Sequence, residues 1–208
     1  MKKVLMGLIG ASLLSAPVLA HQAGDIIVRA GFAVVTPNES SPDVLGLGEF
    51  SVDGNTQLGL NFGYMITDNW AVELLAATPF SHDVSLPDVG VIAETKHLPP
   101  TLVAQYYFGE AGSQFRPYIG VGVNFTNFFD NEFTATGKSL GLADLSMSNS
   151  WGVAAQIGAD YKINKNWLFN ASVWYAQIST DVSFNATPTP IKTDIDPWVY
   201  MLSLGYVF

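Results

Sequence analysis

No cysteine occurs in the 208 residues, which excludes disulfide staples and thiolate-ligated metal or iron–sulfur centres. Basic charge is scarce. Nine Lys and Arg stand against eighteen Asp and Glu, a formal net charge of -9. That leaves no basic face to neutralise phosphates and argues against a nucleic-acid partner. Charged residues of both signs make up only 13% of the chain, about half the usual share. Past residue 20 there is also no apolar run long enough for a membrane-spanning helix. Yet 49% of the residues are hydrophobic and 12% aromatic, which excludes disorder.

The N-terminus accounts for a small part of this. Lys2 and Lys3 precede the apolar run from Val4 to Leu14, and Val18-Leu19-Ala20 supplies small residues for cleavage. This pattern predicts a secretory signal peptide over 1–20 and a mature single domain over 21–208.

The period of the remaining apolar residues resolves the conflict. Trp198, Tyr200, Leu202, Leu204, Tyr206 and Phe208 share one parity, against Met201, Ser203 and Gly205 on the other. Period two means a strand with one large apolar face and one small or polar face. Seven more such segments begin near Ile26, Leu58, Trp70, Leu102, Phe115, Trp151 and Trp167. Their charged residues, Arg29, Glu73, Arg116, Asp160 and Lys162, all oppose the apolar face. A soluble barrel buries its large side chains inside. Here the Gly-rich polar face suits a narrow lumen and the aromatic-aliphatic face suits lipid. Aromatics at segment ends (Trp70, Phe80, Phe108, Phe115, Trp151, Trp167, Trp198, Phe208) suit girdles at the two interfaces.

Short connections near 67–69, 109–114 and 164–166 alternate with long ones near 35–57, 81–101, 126–150 and 176–197. The expected fold is therefore all-β: an eight-stranded antiparallel transmembrane β-barrel in the outer membrane. Its turns and both termini are periplasmic, and its long loops extracellular. A short helix is expected around Leu140 to Met147.

The same segments carry a family resemblance over essentially the whole chain. The stretches are Ala23-Gly24-Asp25 through Arg29-Ala30-Gly31, Thr67-Asp68-Asn69-Trp70 into Glu73-Leu74-Leu75-Ala76-Ala77-Thr78-Pro79-Phe80, and His97-Leu98-Pro99-Pro100-Thr101. Phe115-Arg116-Pro117-Tyr118, Phe128-Phe129-Asp130, Asp144-Leu145-Ser146 and Asp196-Pro197-Trp198 follow in order. Together they resemble the outer membrane protein W family of Gram-negative bacteria. The resemblance implies a monomeric barrel with a narrow hydrophobic channel, linked to uptake of small hydrophobic molecules. The alternative it leaves is a surface structural or docking protein, a colicin or phage receptor or stress-related antigen without a transported ligand. The C-terminal Phe208 resembles the signal read by the barrel-assembly machinery.

An eight-stranded barrel has room for its own side chains or one small ligand. The inward charges Arg29, Glu73, Arg116, Asp160 and Lys162 are expected to form a salt-bridged plug, since an unpaired charge there is costly. A plug would send a ligand entering from outside sideways into the bilayer. The large inward residues Trp174, Leu75, Met65, Tyr107, Tyr118 and Met201 are the candidates to line an apolar pocket. Lumen packing is the alternative role for them. Leu45, Leu47, Leu86, Phe128, Phe129 and Leu142 are candidates to extend the pocket into the loops. Pro79 and Pro99-Pro100 mark strand ends, or a place where the wall opens.

No cofactor and no metal site is expected. The acidic pairs Asp130 and Glu132, and Asp194 and Asp196, lack Ca²⁺-loop spacing. A barrel enzyme acting on lipid A would need a base beside a nucleophile. His82 faces lipid by parity and His97 lies near a loop, so no dyad is expected and the chain reads as a non-enzyme. The long loops carry thirteen acidic residues against Lys96, Lys138 and Lys192, a net of -10. Contact with anionic lipopolysaccharide at that end would need divalent cations.

Overall fold

The computed structural model describes residues 21–208; the expected signal peptide lies outside the described residues. Fourteen strands and one short helix follow in chain order among them. They are β1 (Ile26–Thr36), β2 (Ser51–Val52), β3 (Asn55–Met65), β4 (Trp70–Ala77), β5 (Phe80–Leu86), β6 (Gly90–Leu98) and β7 (Thr101–Tyr107). There follow β8 (Phe115–Phe133), α1 (Ala135–Ser139), β9 (Ser146–Met147), β10 (Ser150–Lys162), β11 (Trp167–Ala176), β12 (Ser179–Ser183), β13 (Ile191–Asp194) and β14 (Trp198–Val207).

Eight of these strands close a ring in the order β10-β11-β14-β1-β3-β4-β7-β8, with β8 pairing back onto β10. Every neighbouring pair is antiparallel, so the ring has no free edge, as hydrocarbon demands. The outward face would be an enormous apolar patch in water: Trp151 is 74% exposed and Phe32 70%. In a bilayer that face is solvated by lipid.

Aromatic pairs mark both interfaces. At the end holding the short turns, Trp70 packs on Tyr106 at 5.1 Å and Trp167 on Tyr206 at 5.1 Å. At the opposite end, Phe125 packs on Trp151 at 4.7 Å and Tyr175 on Trp198 at 5.3 Å. The turns themselves are tied by side chains. Asn164 Oδ1 accepts from the backbone N–H groups of Asn166 and Trp167, both at 3.0 Å.

The long connections are not loose loops. β8 runs nineteen residues, well beyond the roughly 9–11 that cross a bilayer. Its outer half pairs with β6, which pairs with β5 and through it with β2. A second small sheet, β13-β12-β9, faces it, and Asn38 and Ser40 are tied to it by backbone bonds to Ile195 and Asp194. Between the two sheets lies an apolar core of Val44, Phe50, Leu86, Ile92, Phe133, Leu142 and Phe184. The result is a cup standing on the outer mouth of the barrel.

Three expectations need correction. The helix lies at Ala135–Ser139, capped by the Thr134 hydroxyl, and Ser146–Met147 is a strand instead. Phe80 belongs to neither the lipid face nor a girdle. It is 2% exposed, because the chain leaves the ring at Thr78-Pro79 and the alternation restarts with inverted parity. Of the loop apolars, Leu86, Phe128 and Leu142 are buried, Phe129 is half-buried, and Leu45 and Leu47 are exposed.

Candidate functional site

Inward side chains of the ring sort into layers by their depth along the strands. The layer in the half of the ring toward the short turns is polar and closed. Arg29 of β1 reaches across the lumen to Asp160 of β10, with Nη2 at 2.5 Å from Oδ2 and Nε at 3.2 Å from Oδ1. Its Nη1 pairs with Glu73 of β4, and Nη2 also donates to the Tyr107 hydroxyl at 2.7 Å. Glu73 Oε1 accepts from Asn61 at 2.8 Å and Gln156 at 3.1 Å. Asn170 donates to Asp160 at 2.7 Å and to the Tyr118 hydroxyl at 2.9 Å. These groups are buried, and the charges are both paired and hydrogen-bonded, which buried charge requires.

Three of the five expected charges therefore form the plug. Arg116 sits lower. It donates to the backbone carbonyls of His21, Phe108 and Gly109 and stacks over the Tyr107 ring at 5.2 Å. Lys162 donates to the Ala111 carbonyl at the same rim. The residue that sequence reasoning missed is His21, whose Nε2 lies 2.7 Å from Asp160 Oδ2. No strand periodicity covers it, so nothing in the pattern pointed inward.

The six apolar candidates also divide. Met65, Tyr107 and Tyr118 pack with Ile27, Ala71 and Leu168 at the level of the plug and below it. Leu75, Trp174 and Met201 lie above it, clustered with Val103, Ala154 and Ile178. Leu75 and Trp174 line a narrow apolar cavity. Trp174 Nε1 is satisfied by the Ser172 hydroxyl at 3.1 Å, so the indole turns a fully apolar surface to this space. Met201 is fully buried in the same cluster.

A second narrow cavity lies in the cup between Phe50, Ile92, Phe133, Val182 and Phe184. Val35 and His97 line both cavities and stand between them. His82 lines the outer one, and the His82 and His97 Nε2 atoms are 3.2 Å apart. The expectation that His82 faces lipid is overturned by the break at Pro79, which turns it inward. Among the described residues no serine hydroxyl bonds to either imidazole. Burial pushes the His97 imidazole down to about 3 and lowers that of His82 as well. Neutral imidazoles at neutral pH follow from this.

The residues from 22 to 208 match the model of the OmpW family. The chain belongs to the OmpW family. It is 54% identical over 217 aligned residues to outer membrane protein W of Vibrio cholerae, covering the whole of both chains. The crystal structure of the outer membrane protein OprG from Pseudomonas aeruginosa superimposes with a TM-score of 0.84 at 45% identity, covering 90% of this chain and 97% of that one. The solution structure of Escherichia coli outer membrane protein W gives 0.65 at 53% identity, with 91% and 100% covered. The chain is thus an outer-membrane barrel of Gram-negative type, with its short turns at the periplasmic end and its cup outside.

Three of the four acidic residues named from the sequence, Asp130, Asp194 and Asp196, have protein partners. Asp130 lies 3.3 Å from Lys96 Nζ, and Asp194 lies 3.8 Å from Lys192. Asp196 accepts from the Ile178 backbone at 3.0 Å.

Proposed function

We propose that this OmpW-family barrel admits small apolar molecules through its cup and releases them sideways into the outer membrane. The observation that carries the reading is a pair of apolar cavities stacked above a polar floor. The cup cavity and the space beside Trp174 and Leu75 share Val35 and His97 in their walls, and nearer the short turns the ring is closed by the paired Arg29, Asp160 and Glu73. A hydrophobic solute has no favourable way through a fully paired ionic layer, so axial passage to the periplasm is closed to it.

The side exit is supported by Pro99-Pro100, which connect β6 to β7 where the cup meets the ring. Two successive prolines supply no N–H to a neighbouring strand, so this stretch is held to β8 through its carbonyls alone, which accept from the Phe125 backbone N–H at 3.0 Å and Asn124 Nδ2 at 3.3 Å. A more distant relative from Pseudomonas aeruginosa, 26% identical over 77% of this chain, is named dibenzothiophene metabolism operon protein PahQ. Dibenzothiophene is an apolar molecule of the kind these cavities would suit.

The test is uptake of a hydrophobic solute by intact cells. Ala154 is buried against the inner cavity, and Ala154→Trp fills that space. Uptake should fall to the level of cells lacking the protein, and Trp174→Ala or Leu75→Ala should change its rate. Unchanged uptake in all three variants would sink the proposal.

A further inference from the structure

His97, a buried side chain that borders both cavities, carries a hydrogen-bond acceptor with nothing to accept. His82 Nδ1 lies 2.6 Å from the Asp53 carbonyl oxygen. A carbonyl only accepts, so this nitrogen carries the hydrogen. A neutral imidazole has one N–H, which leaves His82 Nε2 as an acceptor. Its partner at 3.2 Å, His97 Nε2, must then be the donor. The proton chain fixes His97 with a bare lone pair on Nδ1. That atom is buried and has no hydrogen-bond partner among the described residues.

The surroundings offer it none. Phe80 stands edge-on to the His97 ring at 5.5 Å and Phe128 stacks on it at 5.8 Å. The His97 ring is 3% exposed and borders both cavities. A buried acceptor left unpaired destabilises the empty protein and rewards any ligand that fills it. Burial also holds His97 neutral throughout the physiological range, so the lone pair is present there.

We propose that His97 Nδ1 accepts a hydrogen bond from the ligand, so that the site favours apolar molecules carrying one hydroxyl, such as alcohols or phenols, over hydrocarbons. The inference rests on the uptake reading above and narrows its substrate class. Trp174, Leu75 and the aromatic walls take the apolar body, and His97 takes the single donor.

The experiment compares naphthalene with 2-naphthol binding to the purified full barrel in nanodiscs, wild type against His97→Phe. Taking the ratio between the two proteins cancels the different solvation of the probes. The wild type should prefer 2-naphthol by roughly 5- to 100-fold more than His97→Phe does. His97→Phe should still bind naphthalene. A second measurement needs no variant. The ¹⁵N resonance of His97 Nδ1 should move on adding 2-naphthol and stay in place with naphthalene.

Equal preference in both proteins, with an unmoved Nδ1 resonance, overturns the hydroxyl assignment and leaves the uptake reading standing. Binding of neither probe to the wild type overturns both.

Discussion

Arg29 and Asp160 meet across the lumen in a two-point contact, Nη2 on Oδ2 and Nε on Oδ1. They come from β1 and β10, which are not neighbours in the ring, so the pair braces the barrel across its width. Glu73 from β4 holds the same guanidinium from another stave. Asp160→Ala leaves a buried cation half-paired, and breaking a buried pair in this way costs about 3–5 kcal/mol. Urea unfolding in lipid bilayers should register a loss of that order. The double variant with Glu73→Ala should also raise ion conductance in planar membranes, because the floor loses both of its carboxylates.

The plug depends on missing side chains as much as on present ones. A Cβ built on Gly158 would lie 2.5 Å from the Tyr118 ring and hydroxyl, so that ring occupies the space glycine leaves. From there Tyr118 reaches Asn170 and Gln156. Gly158→Val would force the ring away and destabilise the barrel by about 1–3 kcal/mol, the usual cost of overpacking. The change should appear in the same urea titration and as lost hydrogen-exchange protection at Asn170 and its neighbours on β11.

The residues show why some of this was legible beforehand. Lipid sorts side chains by face, so the parity of Trp174, Leu75, Arg29 and Asp160 could be read directly. Parity carries no depth, however. Met65 and Tyr107 end their strands beside the short turns, and Tyr118 lies near the start of β8. Counting residues from those turns would have separated them from Leu75 and Trp174. His82 was misread for another reason, since counting by twos from Trp70 runs through Pro79, where the ladder stops. The cup was hidden because its strands are short and bury one face on each other, which mixes the pattern.

The histidine pair makes the cup sensitive to acid. In the unfolded chain His97 takes up a proton near its ordinary 6.5, whereas in the folded cup it does so only near 3. Between those values the unfolded state binds more protons, so stability is full above about pH 6.5 and falls as the pH drops toward 3. His97 alone contributes a slope approaching 1.4 kcal/mol per pH unit within that window. His82, which faces Asp53 and Asp83, has its own value lowered by burial and adds in the same direction. Amide protection factors of β5 and β6, taken relative to intrinsic exchange at each pH, should fall from pH 6.5 to 4 in the wild type and much less in His97→Phe.

Charge at the outer rim predicts how the cup meets the membrane surface. Its thirteen acidic residues face only Lys96, Lys138 and Lys192, and Asp53 and Asp130 are more than half exposed. Anionic lipopolysaccharide beside such a rim is repelled across a short screened distance unless divalent cations bridge the two. Those three lysines are also the trypsin sites of the cup. In bilayers containing lipopolysaccharide, a chelator should speed cleavage after Lys138 and Lys192. In phosphatidylcholine bilayers there are no anionic headgroups to bridge, and the same chelator should leave the rate unchanged. Equal acceleration in both lipids would mean that the cations bind the loops themselves and that lipopolysaccharide contact plays no part.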